Sequence, residues 1–198
     1  PNIALGTYII DDSFSVDELS GKPVPKSPKS LKWDNLKANK TWNYKEGDTI
    51  IVEVPTNLHK AELVLNGKSL GWRSLSNAPD RILRWAVPFE AGALVARGGF
   101  DGNEIEASLS TTSKPVSIKI TTDTNFLSAN GYDVAHIIAQ LIDENGLAVT
   151  TEEAKLSFKV NGDVKILGVD NGSNQSIQDY QTNKIVTSKG RALLLVQS

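Results

Sequence analysis

Asn66–Gly67 is the most restrictive dipeptide in this chain. It follows Ala61-Glu62-Leu63-Val64-Leu65, which alternates in phase, and precedes Lys68-Ser69-Leu70-Gly71. Two consecutive residues able to take positive φ, set between runs of extended character, satisfy the demands of a two-residue type I′ turn. Asn tolerates the left-handed region through its short polar side chain, and Gly enters it without a Cβ clash. The run therefore predicts a β-hairpin. Four more Asn–Gly pairs (130–131, 145–146, 161–162 and 171–172) and one Asp–Gly (101–102) repeat the signal, and they predict an all-β protein.

The remaining pattern agrees. In the first half, extended runs are predicted at Leu5–Ile10, Leu31–Trp33, Asp48–Val54, Ala61–Leu65, Lys68–Trp72, Ile82–Val87, Gly92–Arg97 and Glu104–Ser110. In the second they fall at Val116–Ile120, Asp133–Asp143, Lys155–Val160, Val164–Val169, Lys184–Thr187 and Ala192–Val196. No segment carries a helical period, and Asn174–Asn183 reads as a long polar loop. Short strands with frequent turns point to Ig-like sandwiches. The expected architecture is two consecutive Ig-like β-sandwich domains. Residues 1–30 form an extended segment or linker that ends in the proline-rich run Lys22–Ser30, the first domain covers 31–113, and the second covers 114–198 after the polar break Thr111–Pro115. Ala192-Leu193-Leu194-Leu195-Val196 is nearly all apolar and predicts a central strand covered on both faces. The chain ends two residues later, so the second sandwich is expected to lack its last strand.

Composition narrows function by exclusion. A formal net charge of −2 gives no basic field for nucleic acid. With no cysteine there are no thiolate ligands, thiol nucleophiles or disulfides. No apolar run approaches a membrane span, which takes roughly 18 residues. The chain opens at Pro1 and has no methionine, so it is expected to be a piece of a longer protein. A periplasmic or extracellular bacterial location is the working expectation.

The chemistry-bearing groups are sparse. Adjacent acids at Asp11–Asp12, Asp143–Glu144 and Glu152–Glu153 fall in predicted turns, where solvated carboxylates are ordinary. His59 and His136 are the only histidines, and no third base or nucleophile accompanies either in a pattern suited to a triad or a zinc site. Asp170-Asn171-Gly172-Ser173-Asn174-Gln175 and Asp123-Thr124-Asn125 offer oxygen atoms to calcium, but the first lacks the bidentate glutamate of an EF-hand loop. Both read as polar turns. No catalytic residue, metal site or cofactor is expected within these residues. The four tryptophans, Trp33, Trp42, Trp72 and Trp85, raise carbohydrate stacking. Trp85 has the phase of a core residue, leaving Trp42 and Trp72 as the candidate carbohydrate contacts.

A family resemblance adds to this reading. Val52-Glu53-Val54-Pro55-Thr56-Asn57, Ala61 to Gly71, and Trp85-Ala86-Val87-Pro88-Phe89-Glu90-Ala91-Gly92-Ala93-Leu94-Val95-Ala96 resemble a sandwich domain that follows the catalytic barrel in bacterial glycoside hydrolase family 2 enzymes of the β-galactosidase group. Members read much like V-E-L-F-L-N-G-K-S-L-G and W-x-V-P-Y-x-P-G-x-L-x-A there; Phe89 stands in place of the tyrosine and Ala91 in place of the proline. Leu127 to Ala135, Gly168-Val169-Asp170-Asn171-Gly172, and Gly190 to Ser198 are similar to the C-terminal Ig-like domain of the same enzymes. The resemblance covers roughly residues 45–198. It implies a non-catalytic C-terminal part of a glycosidase. The parent would use two glutamates on a barrel that is not in this sequence, and that barrel would be the partner of the present residues. An oligosaccharide-binding module and an Ig-like structural or adhesin stalk are the alternatives.

Overall fold

The computed structural model describes residues 2–27 and 38–198. The strand expected at Leu31–Trp33 lies outside the described residues. The chain divides into two units, residues 1–111 and 112–198.

Among the described residues, nine strands build the first unit: β1 (Gly6–Ile10), β2 (Phe14–Val16), β3 (Pro23–Pro25), β4 (Thr49–Pro55), β5 (Lys60–Leu65), β6 (Lys68–Ser74), β7 (Ile82–Pro88), β8 (Ala93–Phe100) and β9 (Asn103–Ser110). They form an antiparallel sheet β1-β4-β7, a second sheet β6-β5-β8-β9, and the separate pair β2-β3. Thr-Ile-Ile-Val-Glu-Val in β4 is rich in β-branched residues, which suit a central strand packed on both faces. Its inner face carries Ile50, Val52 and Val54, all fully buried against Leu63, Leu94 and Ala96 of the other sheet. The outer face presents Ile51, packed with Tyr8, Ile10, Phe14 and Val16 in a cluster of its own. The unit therefore has three layers, with the β2-β3 hairpin closing one side.

That hairpin corrects the expectation of a linker over residues 1–30. β1 is hydrogen-bonded along β4, from Gly6 opposite Glu53 to Ile10 opposite Thr49. Ser15 opposes Val24 in the β2-β3 pair, and Pro23 and Pro25 flank it. The backbone bonds Asp17 N–H to Lys22 C=O and Lys26 N–H to Ser13 C=O set the phase. Both prolines then fall at positions where no ladder donor is needed, so a proline-rich segment forms an edge strand without leaving a bond unmade.

The second unit contains β10 (Ser117–Thr122), β11 (Val134–Ile142), β12 (Lys155–Ser157), β13 (Lys165–Asp170), β14 (Lys184–Val186) and β15 (Arg191–Gln197). A four-stranded sheet, β10-β11-β15-β13, faces the two-stranded β12-β14. Ala135, Ala139, Val169, Ala192, Leu194 and Val196 pack against Leu156 and Ile185. β15 is central in its sheet, paired on both sides. Its burial nevertheless alternates: Ala192, Leu194 and Val196 are buried, and Leu193 and Leu195 only partly so. Covering on both faces, expected from the apolar run, is realised on one, because no second layer packs on the outer side among the described residues of this unit.

Of the six Asn–Gly and Asp–Gly pairs, two hold positive φ at both residues: Asn66–Gly67 (51° and 79°) and Asp101–Gly102 (49° and 80°). These close the β5-β6 and β8-β9 hairpins. In the other four pairs only the glycine is left-handed, so they turn the chain without forming a two-residue hairpin.

Candidate functional site

Trp42, expected as a carbohydrate contact, is fully buried, and this removes it from that role. Its indole N–H donates to the Glu90 carbonyl at 3.0 Å, and its ring meets Tyr44 and Phe89 at centroid distances of 6.1 and 5.3 Å. Its own carbonyl accepts from the Thr111 hydroxyl at 2.9 Å, and that hydroxyl oxygen in turn accepts from Gly92 N–H at 3.0 Å. Asn66 also bonds to this loop. Its Nδ2 donates to Glu90 Oε1 (2.7 Å) and the Ala91 carbonyl (2.9 Å), and its Oδ1 accepts from Ala93 N–H (2.8 Å). Gly92 lies so close that a Cβ there would sit 1.8 Å from Asn66 Oδ1. The hairpin and the Trp85–Ala96 run, distant in sequence, are one knitted structure.

Trp72 is placed differently. It lies on β6, an edge strand, and is 51% exposed. The Lys60 ammonium lies 4.9 Å from its ring centroid, a cation–π contact that occupies one face of the ring. Beside it a groove of about 420 Å³ opens between the edge strands β6 and β7. The tip of the β2-β3 hairpin, Glu18 to Ser20, forms its rim. Gly21, at φ 68°, fixes that tip, because a Cβ there would lie 2.4 Å from the Arg84 carbonyl oxygen; only glycine allows the approach.

Charges line the groove unevenly. Arg73 stacks over Trp85, 5.6 Å from the ring centroid, and donates to the Leu19 carbonyl at 2.9 Å. Burial lowers its pKa, an effect that Asp17 opposes. None of the ion pairs among the described residues includes Arg73. Arg84, in contrast, is tied to Glu53 and Asp80 at 2.8 Å each. Burial disfavours its charge, but these two carboxylates outweigh burial and raise its pKa. Asp80 also meets Lys22 at 3.0 Å. Although burial acts against it, the bonds from Lys22 and Arg84 bring its carboxyl down to about 2. Tyr8, on the same sheet face, is pushed up to about 12 by burial and by the charge of Glu53.

The other sequence candidates resolve into local structure. Asp123 grips His136 twice, accepting from its backbone N–H at 2.9 Å and meeting Nδ1 at 2.7 Å. These hydrogen bonds hold the Asp123 carboxyl below its usual range. Asp143 accepts from the backbone of Ser113, Asn145 and Leu147 (2.9–3.1 Å); burial opposes ionisation, but those bonds prevail and lower its pKa. Asp170 closes a turn onto Gly172 N–H at 2.8 Å. Asn171 to Gln175 line a second, polar cleft of about 750 Å³ with Gln140, Glu153 and Arg191, and no aromatic ring borders it. No group of three His, Asp or Glu converges among the described residues. Trp85 is core, as its phase predicts. Arg73, Asn77 and Glu18 are groove residues that the sequence did not single out. Their place depends on a hairpin tip and an edge strand far apart in the chain, and no local pattern encodes that.

The fold is that of tandem β-sandwich modules. Residues 118–198 match the family described as Glycoside hydrolase family 2 C-terminal domain 5, and residues 47–106 match a Domain of unknown function (DUF4982). A beta-galactosidase of Bacteroides ovatus, BoGH2A, is 29% identical over 159 residues, covering 79% of this chain and 19% of its own length. A solved glycosyl hydrolase family 2 member from Bacteroides cellulosilyticus superposes with a TM-score of 0.78 at 30% identity, covering 98% of this chain and 25% of the other. A beta-glycosidase from Bacteroides vulgatus gives 0.74 at 30% identity over 80% of this chain and 20% of that one. The chain carries the C-terminal β-sandwich domains of glycoside hydrolase family 2. It spans about a fifth of the length of the Bacteroides ovatus relative.

Proposed function

We propose that these residues are the non-catalytic C-terminal part of a longer family 2 glycosidase of β-galactosidase type, and that they brace its catalytic barrel. One observation carries the reading: both units align, in order, with a small share of much longer family 2 chains. The side-chain chemistry supports it. Cleaving a glycosidic bond takes two carboxyl groups roughly 5–10 Å apart across an open cleft. Several of the acids are instead committed, Asp143 and Asp170 to turns and Asp80 and Glu53 to cations. Among the described residues, Glu18 is the one carboxylate lining the first groove.

The test is to isolate the longer reading frame and assay it beside the 198-residue chain on nitrophenyl β-galactoside. Turnover by the long form and none by the short form is expected. Turnover by the rigorously purified short chain would overturn the reading, as would an upstream frame that encodes further sandwiches and no barrel.

A further inference from the structure

The five Asn–Gly pairs of this chain are alike in chemistry and unlike in setting. In such a pair the glycine amide nitrogen, once it has lost its proton, attacks Cγ of the preceding asparagine. Glycine favours this step because it has no Cβ to block the approach. The step needs a carboxamide free to swing toward the next nitrogen, and a nitrogen that is not engaged elsewhere. Hydrogen bonds to either group therefore hold the reaction back.

Four of the pairs are held. Asn66 is fixed by its three bonds to residues 90–93. Asn130 donates from Nδ2 to Asp133 Oδ1 at 3.0 Å, and its Oδ1 accepts from Tyr132 N–H at 2.8 Å and Asp133 N–H at 3.0 Å. Asn171 donates to the Val186 carbonyl and accepts from Ser173 N–H, each at 3.0 Å, while Gly172 N–H donates to Asp170 Oδ1 at 2.8 Å. The Asn145 side chain makes no hydrogen bond among the described residues, but the nitrogen that would attack it is engaged: Gly146 N–H donates to the Asp143 carbonyl at 3.0 Å.

Asn161–Gly162 differs from all four. Both residues are exposed, in the link between β12 and β13. Neither the Asn161 carboxamide nor Gly162 N–H makes a hydrogen bond among the described residues. Gly162 bonds instead through its carbonyl, which accepts from Val164 N–H at 2.9 Å. A Cβ built on Gly162 would meet nothing within 4 Å, so the link has room to turn.

We propose that Asn161 is a site of spontaneous modification in the folded chain, converting through a succinimide to aspartate and isoaspartate. Hydroxide removes the Gly162 amide proton, the nitrogen bonds to Asn161 Cγ, and the Cγ–Nδ2 bond breaks with loss of ammonia. Water then opens the five-membered ring. Attack at Cγ gives aspartate, and attack at the backbone carbonyl gives isoaspartate, whose main chain runs through the former side chain. One water enters, one ammonia leaves, and nothing is oxidised or reduced. Either product sets a carboxylate where a neutral amide stood. The proposal goes beyond the bracing role and does not depend on it.

The experiment holds the folded 198-residue chain in mildly alkaline buffer, follows each Asn–Gly peptide by mass spectrometry, and counts isoaspartate by enzymatic methylation. Asn161 is expected to convert first. It should lead Asn66, Asn130 and Asn171 by about tenfold or more, because two or three bonds must break before those side chains can turn. Asn145 should also lag behind it. The Asn161 rate should rise in proportion to hydroxide. In concentrated urea the five rates should converge. Asn161→Gln should abolish the fast conversion and leave the other four rates unchanged. The proposal fails if any other pair keeps pace with Asn161 in the folded chain, if Asn161 converts only after unfolding, or if the order seen in buffer persists in urea.

Discussion

The two units reach a buried interior by unequal means. In the first, a four-stranded sheet is opposed by three strands, and a hairpin packs on the far side of those three. Its core includes Trp42 and Trp85 and ten or more aliphatic residues. In the second, a four-stranded sheet is opposed by two strands of three residues each, and the buried cluster is aliphatic throughout. The consequence shows at the edge. Ile118 opposes Leu141, and Ile120 opposes Ala139, so both isoleucines share the core side of the sheet. Yet they are 46% and 56% exposed, and every residue of β10 is open to solvent. A strand turns its apolar face inward by phase, but only an opposing layer removes that face from water.

The comparison can be broken most forcefully at Trp42. Trp42→Ala should cost about 3–5 kcal/mol, since it empties a full aromatic volume and strands the Glu90 carbonyl. All four tryptophans lie at or before residue 85, so denaturant unfolding followed by tryptophan fluorescence reads this loss from the first half of the chain. A change below about 1 kcal/mol would mean that the first core is far looser than its burial implies.

Leu194→Ala in the second unit should cost less, about 2–4 kcal/mol, because the shallow two-stranded cover can collapse toward the gap. Far-ultraviolet circular dichroism of the same unfolding series measures it. A penalty equal to that of Trp42→Ala would contradict the claim of a thinner core.

Acid provides the third test. The Asp80 carboxyl lies near 2 in the folded chain against a reference near 3.8. Its contribution is therefore complete above about pH 4 and is lost as pH falls through about 2. With partial exposure discounted, that is on the order of 1–2 kcal/mol. Asp80→Asn should flatten the acid limb of the fluorescence-detected stability profile between those values. An acid limb unchanged in the variant would show that the Lys22–Asp80–Arg84 network contributes nothing measurable.

The smallest effect is expected at Ile120. Ile120→Thr keeps β-branching on an exposed edge strand and should change stability by no more than about 0.5 kcal/mol. A larger loss would place a covering layer over β10.

The strands and their turns were legible because their signals are local. Asn66–Gly67 and Asp101–Gly102 demand a geometry from two adjacent residues, and β4 advertises itself by β-branching. Signals that depend on distant partners were not legible. Nothing within Trp42-Asn43-Tyr44 says that an indole will be sealed by residues 89–92. Nothing in Pro23-Val24-Pro25 says that Ser15 waits at the matching phase. Asn66 was legible as a turn former, while its three bonds to residues 90–93 were hidden. Trp72 could be named as a surface tryptophan, but the groove beside it belongs to a hairpin that looked like a tether. In the second unit, β12 stops at Ser157, short of the alternating run that ends at Val160, because its partner β14 offers only three residues for pairing.

The N-terminal hairpin and β1 also decide where the gene can be cut. A recombinant version begun at residue 31, the boundary that composition suggests, would strip one neighbour from β4 and uncover Ile51, which is fully buried in the intact chain. It would also remove the rim of the Trp72 groove. Such a version would present a raw, sticky strand to its copies. Insolubility of that shorter product would then reflect a lost sheet neighbour and say nothing about whether the sandwich behind it is sound.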